Sequence, residues 1–437
     1  MDRERLFKYL EDRYASKRDM ISRIPLGIQP EELWRELTER RGSRGVALPL
    51  NGHVNTPYWY VVTDRMVTAS EKIVETMYSE SQETDPYAGP VPVSALEEVF
   101  FTGYVEGMQM TLREAMEFLA GDKLPRDIEE QLVYNNRMAT AFVGNNLFRP
   151  IDAPFLSELA GILTEGMDEG GRDYRDTASA EFSPSPGEQF TYPPPETISG
   201  CMDEFIRFLS DMETHPLIKA GVAQIWMMIV RPFREGNDRL GRLLSYMILL
   251  RAGYTFFADV SLSALIARKS YAYYEAVANS MRGENEGDLT YFLDHFLELL
   301  SRAIDERKLI MARKTEQAIM AEREKARQPL EPAAGPLSGN HGIRGEEPEL
   351  PDFSGFERVP MKENKPKNGS TEFVEDPIDI LRGLTEKPGK VLPKFAAYVL
   401  EKIGRSEKTF TTMEVENAIG VNRKCLSRSI AFLPNKA

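Results

Sequence analysis

The residues most able to do chemistry lie together in a twelve-residue stretch, positions 231–242, RPFREGNDRLGR. Gly236 and Asn237 are turn formers that leave backbone N–H groups exposed. Such groups at the start of a helix make a seat for an anion. Glu235 offers the carboxylate oxygens that a hard divalent cation prefers. Arg239 and Arg242 stand three residues apart and so share a helix face, where two guanidinium groups suit a polyphosphate. The combination points to Mg²⁺ and a nucleoside triphosphate. The same residues also suit a solvated, arginine-rich turn between two core helices, and spacing alone leaves both readings open.

The elements that must position this stretch are helices. AGVAQIWMMIV precedes it and LLSYMILLRAGY follows it, which makes it a short loop running into a helix start; Ile225, Met228, Ile229, Leu243, Leu244 and Met247 form an apolar stripe that reads as core. Trp59 and Trp226 read as packing residues. SALEEVFFTGYVEGM, TLREAMEFLAG, DIEEQLVYNNRMATAFVGNN, APFLSELAGILTEGM and ETISGCMDEFIRFLSDM each place apolar residues at i, i+3, i+4 and i+7. Asp152 and Ser263 are the expected N-caps nearby. No strands alternate with these helices, which disfavours a parallel α/β sheet. TASAEFSPSPGEQFTYPPPE interrupts the pattern and reads as a β-hairpin or flap followed by a proline stop. FLELLSRAIDERKLIMARKTEQAIMAEREKAR reads as one long helix.

The whole chain of 437 residues is 42% hydrophobic and carries a net charge of −14, so it buries a sizeable core and does not coat nucleic acid along its length. No polybasic stretch, apolar run long enough to span a bilayer, or signal-peptide h-region is apparent. Cys201 and Cys425, 224 residues apart, read as structural thiols of a reducing cytoplasm, and the four histidines show no metal-ligand spacing. Between residues 327 and 377, eight prolines with many Gly, Glu and Lys mark a disordered linker. Residues 381–437 hold 11 Lys and Arg against 5 Asp and Glu, a net of +6 that leaves −20 on the rest. The division expected is therefore 1–90, an N-terminal helical and turn region; 91–310, the main domain; 311–375, a helix end and linker; and 376–437, a basic module.

The loop resembles the signature of the Fic (Fido) family, H-x-F-x-[DE]-G-N-G-R-x-x-R: Phe233, Glu235, Gly236, Asn237, Arg239 and Arg242 match in register. Upstream, Thr102, Glu106 and Gly107 fit the family's inhibitory-helix pattern [ST]-x-x-x-E-[GN], here near 98–108. Pro193 to Glu196 and the run Tyr273, Tyr274, Glu275 follow in family order. The resemblance covers about half the chain. It implies an all-α Fic-fold helical bundle with a small β-hairpin flap, and AMP transfer from ATP to a Ser, Thr or Tyr hydroxyl of a protein target. On this resemblance Asn237 sits in the anion hole and Glu235 holds Mg²⁺. Gly236, Asp238, Arg239, Gly241, Arg242, Tyr273 and Tyr274 line the nucleotide. Glu106 pairs with Arg242 and keeps the γ-phosphate from seating, and residues 180–192 clamp the target segment.

Two positions depart from the signature. Arg231 stands where the family has the histidine base, and arginine stays protonated. Asp238 stands where the family has glycine, putting a carboxylate close to the phosphates; a pair between Arg231 and Asp238 across the loop would offset its charge. Gln224 replaces another histidine found in many members. An impaired or altered transferase, a nucleotide-binding pseudoenzyme, a site in which Glu106 activates water to remove AMP, and a DNA-binding regulator with the helical body as sensor all remain open. For the last, KVLPKFAAYVLEKIGR, TMEVENAIG and NRKCLSRSIAFL form a helix-turn-helix pattern similar to winged-helix tails, with Arg423, Lys424 and Arg428 facing DNA. The same basic module also suits docking on the acidic body. Partners expected are thus ATP with Mg²⁺, a hydroxyl-bearing protein and DNA, with no membrane and with a homodimer left open.

Overall fold

The structure, a computed structural model, describes residues 3–25, 27–51, 57–80, 93–121, 123–168, 170–179, 184–185 and 188–327. The long linker and the basic tail, with Arg423, Lys424 and Arg428, lie outside the described residues. The helices, in chain order, are α1 (Arg3–Asp12), α2 (Lys17–Ile21), α3 (Pro30–Gly42), α4 (Asp64–Glu80), α5 (Val93–Tyr104), α6 (Leu112–Ala120), α7 (Ile128–Asn145) and α8 (Ala153–Leu163). They continue as α9 (Ile198–Ser210), α10 (Pro216–Val230), α11 (Asn237–Arg251), α12 (Leu262–Arg268), α13 (Ser270–Met281) and α14 (Thr290–Arg327). The all-α expectation holds.

The centre is the α10–α11 hairpin. α10 is apolar on every side and buried almost end to end, which only a helix surrounded by other helices tolerates. Trp226 is fully buried there, edge-on to Tyr58 at 5.3 Å and stacked on Phe205 at 6.3 Å. Each such side chain contributes about 1.5–3 kcal/mol by leaving water. α14 packs along α10, α4 and α13, and its Phe292 and Phe296 stack on each other. Gly221 of α10 admits Leu293 and Phe296, since a Cβ at 221 would lie 2.6 Å from Leu293. A second cluster joins α5, α6 and α7 through Val99, Phe100, Ala115, Phe118 and Val133, and it fixes the end of α5.

Local signals account for most helix starts. Asp152 caps α8 as expected, its Oδ1 accepting from Phe155 N at 2.9 Å. At α12 the expected cap is corrected: Ser261, not Ser263, accepts from Ala264 N at 3.0 Å. Ser263 is occupied by Glu98 of α5, which accepts both its hydroxyl and its N–H. Glu98 also accepts from the Ser261 hydroxyl at 2.8 Å, so it ties both serines to α5, and Ser263 is simply the second residue of α12, inside the helix it was expected to cap.

The structure adds a small sheet in the N-terminal region. Among the described residues it pairs β1 (Val46–Ala47) with β2 (Trp59–Tyr60), antiparallel, in a stretch legible only as turn-rich. Positions 180–183, 186 and 187 of the flap lie outside the described residues, and the described flank 188–194 contains no strand. The proline stop then opens a single 3-10 turn, Pro195–Thr197, leading into α9. No described helix is long and apolar enough to cross a membrane.

Candidate active site

α10 ends at Arg231, whose backbone takes the left-handed conformation (φ 46°, ψ 61°) while its N–H still bonds to Met227 O. The chain turns back at Gly236, φ 75°, which serves as the N-cap of α11. A side chain at Gly236 would be strained by that φ and would meet Thr164 at 3.1 Å. Gly236 supplies no side chain to cap α11, so the first N–H groups of the helix face the loop. Asn237 staples the turn: its Oδ1 accepts from Phe233 N at 3.0 Å and its Nδ2 donates to Phe233 O at 2.8 Å. The amide expected in the anion hole thus holds the loop with one N–H and one oxygen lone pair.

One residue that sequence reasoning missed ties the loop to the flap. Arg175 is 3% exposed, and its guanidinium donates to Thr177 O, Pro193 O, Val230 O and Arg231 O at 2.6–3.3 Å. Its backbone N–H donates to Pro232 O at 2.8 Å. Burial and the neighbouring Arg231 both lower its pKa below the usual arginine range. Nothing in the run GRDYRDT announces this role.

Arg239 and Arg242 are nearly buried, with side chains 4% exposed, and they converge on Glu106 just beyond α5. Arg242 donates from Nη2 to Glu106 Oε1 at 2.6 Å and to Thr102 O at 2.9 Å, and from Nε to Thr102 Oγ1 at 2.9 Å. Arg239 donates from Nε to the other oxygen, Glu106 Oε2, at 3.0 Å. One carboxylate thus holds two guanidinium groups, one more than the sequence suggested. Arg239 also donates to Leu163 O at 3.0 Å and to Asn136 Oδ1 at 3.4 Å, both unforeseen, on chain segments 76 and 103 residues away. Burial is the largest influence on Arg242 and opposes its charge, but Glu106 together with Tyr273, Tyr274 and Asp238 outweighs it, and the pKa of Arg242 is raised.

On the flap side Arg231 Nε donates to Ser179 Oγ at 3.0 Å, and its guanidinium lies 5.8 Å from the Tyr192 ring centre. Its Nη1 pairs with Asp238 Oδ1 at 3.4 Å, the cross-loop pair the sequence suggested. Burial raises the pKa of Asp238, and Glu106 adds to this; Arg231, Arg242 and Arg239 act the other way.

The remaining sequence candidates are placed as follows. Tyr274 is partly buried and donates to Val105 O at 3.1 Å, beside the Glu106 turn. Tyr273 is 1% exposed in the core, accepting from Gln224 Nε2 at 3.0 Å, which explains the buried Gln224. Gly241 faces α10, where a Cβ would lie 2.7 Å from Gln224 O. Glu235 is half-buried in the loop. No three His, Cys, Asp or Glu side chains cluster for a metal among the described residues. A single carboxylate in a cation-rich cradle fits Mg²⁺, which keeps waters and takes further oxygens from phosphates.

Comparison with known proteins covers the same stretch of chain. Residues 150–249 match the family model described as Fic/DOC family. The protein adenylyltransferase Fic of Aedes aegypti is 29% identical over 116 residues, 26% of this chain and 21% of that protein. The protein of the same name from Drosophila melanogaster is 24% identical over 222 residues, 48% of this chain and 41% of that protein. The chain thus spans from about a fifth to two fifths of the length of these curated relatives. A solved Fic family protein from Desulfovibrio desulfuricans G20 shares the fold, with a TM-score of 0.51 at 20% identity over 56% of this chain and 75% of that one. The loop at 231–242 falls inside the matched stretch, on a helical frame of the same fold, and the chain carries a Fic/DOC family domain.

Proposed function

We propose that this domain binds ATP with Mg²⁺ and transfers AMP to a hydroxyl of a protein side chain, and that Glu106 holds the activity down. The observation that carries the reading is the sharing of the Glu106 carboxylate between Arg239 and Arg242. Two nearly buried cations three residues apart, beside an uncapped helix start, form a seat for a polyphosphate. An internal carboxylate occupies that seat. The names of the curated relatives, protein adenylyltransferases, support AMP as the transferred group.

In this reading the N–H groups at the start of α11 and the guanidinium groups of Arg239 and Arg242 bind phosphates. Glu235 holds the Mg²⁺, which would neutralise charge on the leaving phosphates, and Tyr274 lies toward the base. Ser179 and Tyr192, the flap residues beside Arg231, mark the side from which the acceptor enters. Arg231 cannot accept a proton at neutral pH, so transfer to a hydroxyl requires another acceptor.

The test is calorimetric titration of Mg-ATP into the wild-type chain and into Glu106→Gly. Freeing both guanidinium groups is expected to tighten binding about tenfold or more, given that charged hydrogen bonds contribute about 1.5–3 kcal/mol each. Equal or weaker binding by a folded Glu106→Gly variant overturns the inhibitory role.

A further inference from the structure

We propose that Asp238 is the general base of this site, its Oδ2 taking the proton of the acceptor hydroxyl, with Arg231 as the residue that positions it. The proposal rests on the AMP-transfer reading above. Its starting point is that the two departures from the signature touch each other: the cation at the base position and the carboxylate at the glycine position form one pair, 3.4 Å apart. The loop therefore still contains a group able to accept a proton, on a different residue.

Position favours this assignment. Asp238 is the second residue of α11, at the helix start assigned above to the phosphates. Arg231 reaches from Asp238 to Ser179 and Tyr192 on the two legs of the flap. The carboxylate thus lies between the phosphate seat and the acceptor side, where an attacking hydroxyl must pass. Its side chain is only 7% exposed, and Oδ1 takes the single hydrogen bond, to Arg231. Oδ2 makes none among the described residues. A pair at 3.4 Å is loose beside the 2.6 Å contact of Arg242 with Glu106, so the carboxylate is oriented without being saturated.

The surroundings suit the task. Arg231 from the loop and Arg239 and Arg242 from α11 favour the ionised form, while burial and Glu106 favour the protonated one. Tyr192 of the flap and Tyr273 and Tyr274 of α13 are the other titratable groups that face it. The balance leaves Asp238 above the ordinary carboxylate range, and a carboxylate of raised pKa is the stronger base in its ionised form.

The step balances without another reagent. The acceptor oxygen attacks the α-phosphorus of ATP, forming an O–P bond. The bond from that phosphorus to the β-phosphate oxygen breaks, and pyrophosphate leaves. The hydroxyl proton passes to Asp238 Oδ2 and from there to solvent.

The experiment uses the full chain with Glu106→Gly as parent, measuring Mg-ATP binding by calorimetry and AMP transfer from α-labelled ATP to the chain itself and to lysate proteins. Asp238→Asn on that parent is expected to bind Mg-ATP at least as tightly, having lost a negative charge, while transfer falls about 10²–10⁴-fold. It should also flatten the acid limb of the pH–rate profile. Asp238→Glu should retain part of the rate, and Arg231→His added to Asp238→Asn should recover it. The proposal is overturned by an Asp238→Asn variant that transfers at the parent's rate. It is also overturned by a loss that comes with lost Mg-ATP binding and that neither Asp238→Glu nor Arg231→His relieves, which identifies a structural role. A parent that binds Mg-ATP but transfers nothing overturns the base while leaving nucleotide binding intact. A parent that binds no Mg-ATP overturns the underlying reading, and the base falls with it.

Discussion

Asn237 pins the loop with both ends of its amide, accepting from Phe233 N and donating to Phe233 O, in a site where Asn237 itself is 1% exposed. Asn237→Ala strands two buried backbone groups, and each unsatisfied group costs about 1–3 kcal/mol. Urea unfolding of the variant is expected to show a loss of about 2–4 kcal/mol, together with weaker Mg-ATP binding, because the loop carries the seat. Asn237→Asp keeps the acceptor and loses the donor, so it should fall between. At this scale the sequence was informative where residues act through fixed spacing. Thr102, Glu106, Arg239 and Arg242 were legible because the pattern places them, and the structure adds that Glu106 serves both arginines. Arg175, Ser179 and Asn136 were not legible. They reach the site through packing, from segments 56, 52 and 103 residues distant from their partners, and short-range pattern has no access to such distances.

α10 and α11 cross at Gly241, where a Cβ would sit 2.7 Å from Gln224 O and 3.2 Å from Met227 Cβ. The near neighbour is backbone, so Gly241→Ala must push the helices apart at an expected cost of about 1–3 kcal/mol. The melting temperature should fall by a few degrees. The loop that joins these helices carries the seat, so Mg-ATP affinity should fall with it; an Ala variant of wild-type stability and affinity would show that the crossing has slack. Helices were the legible elements, since long apolar periodicity marks α5 to α11. The two-residue strands of the sheet are too short for alternation to register, and they pair because Trp59 and its neighbours dock beside Asp288. The cap at Ser261 was missed because two serines precede the same apolar run and spacing alone does not say which stands outside the helix; Ser263 is the second residue of α12.

Over the whole molecule, acid should act through two groups of opposite kind. Burial holds the His295 pKa down, to about 4 from an ordinary 6.5, so the folded chain stays neutral where the unfolded chain binds a proton. That stability is present above pH 6.5 and is lost as pH falls toward about 4. Glu188 is lowered to about 2, first by its hydrogen bond to Arg282, with Arg18 and Ser185 adding to it. Its contribution is present above about 4.5 and is lost from there toward about 2. Denaturant unfolding at pH 7.5 and 4.5 should therefore show wild type losing about 2–3 kcal/mol more than His295→Leu. Parallel losses in both would assign the acid sensitivity elsewhere. Heat should expose the other charge cluster. Nucleotide that binds only the folded chain raises its melting temperature, and the rise with Mg-ATP is expected to be larger in Glu106→Gly than in wild type. On the proposed function, the carboxylate of Glu106 is in effect a ligand on a tether, present at a local concentration that free nucleotide must match. The seat is available only for the fraction of time this tether is off, and the apparent affinity is scaled by that fraction. A seat open one time in a hundred weakens apparent binding about a hundredfold. No contact to the nucleotide changes, so on that proposal whatever displaces the turn after α5 sets the nucleotide level at which the seat fills.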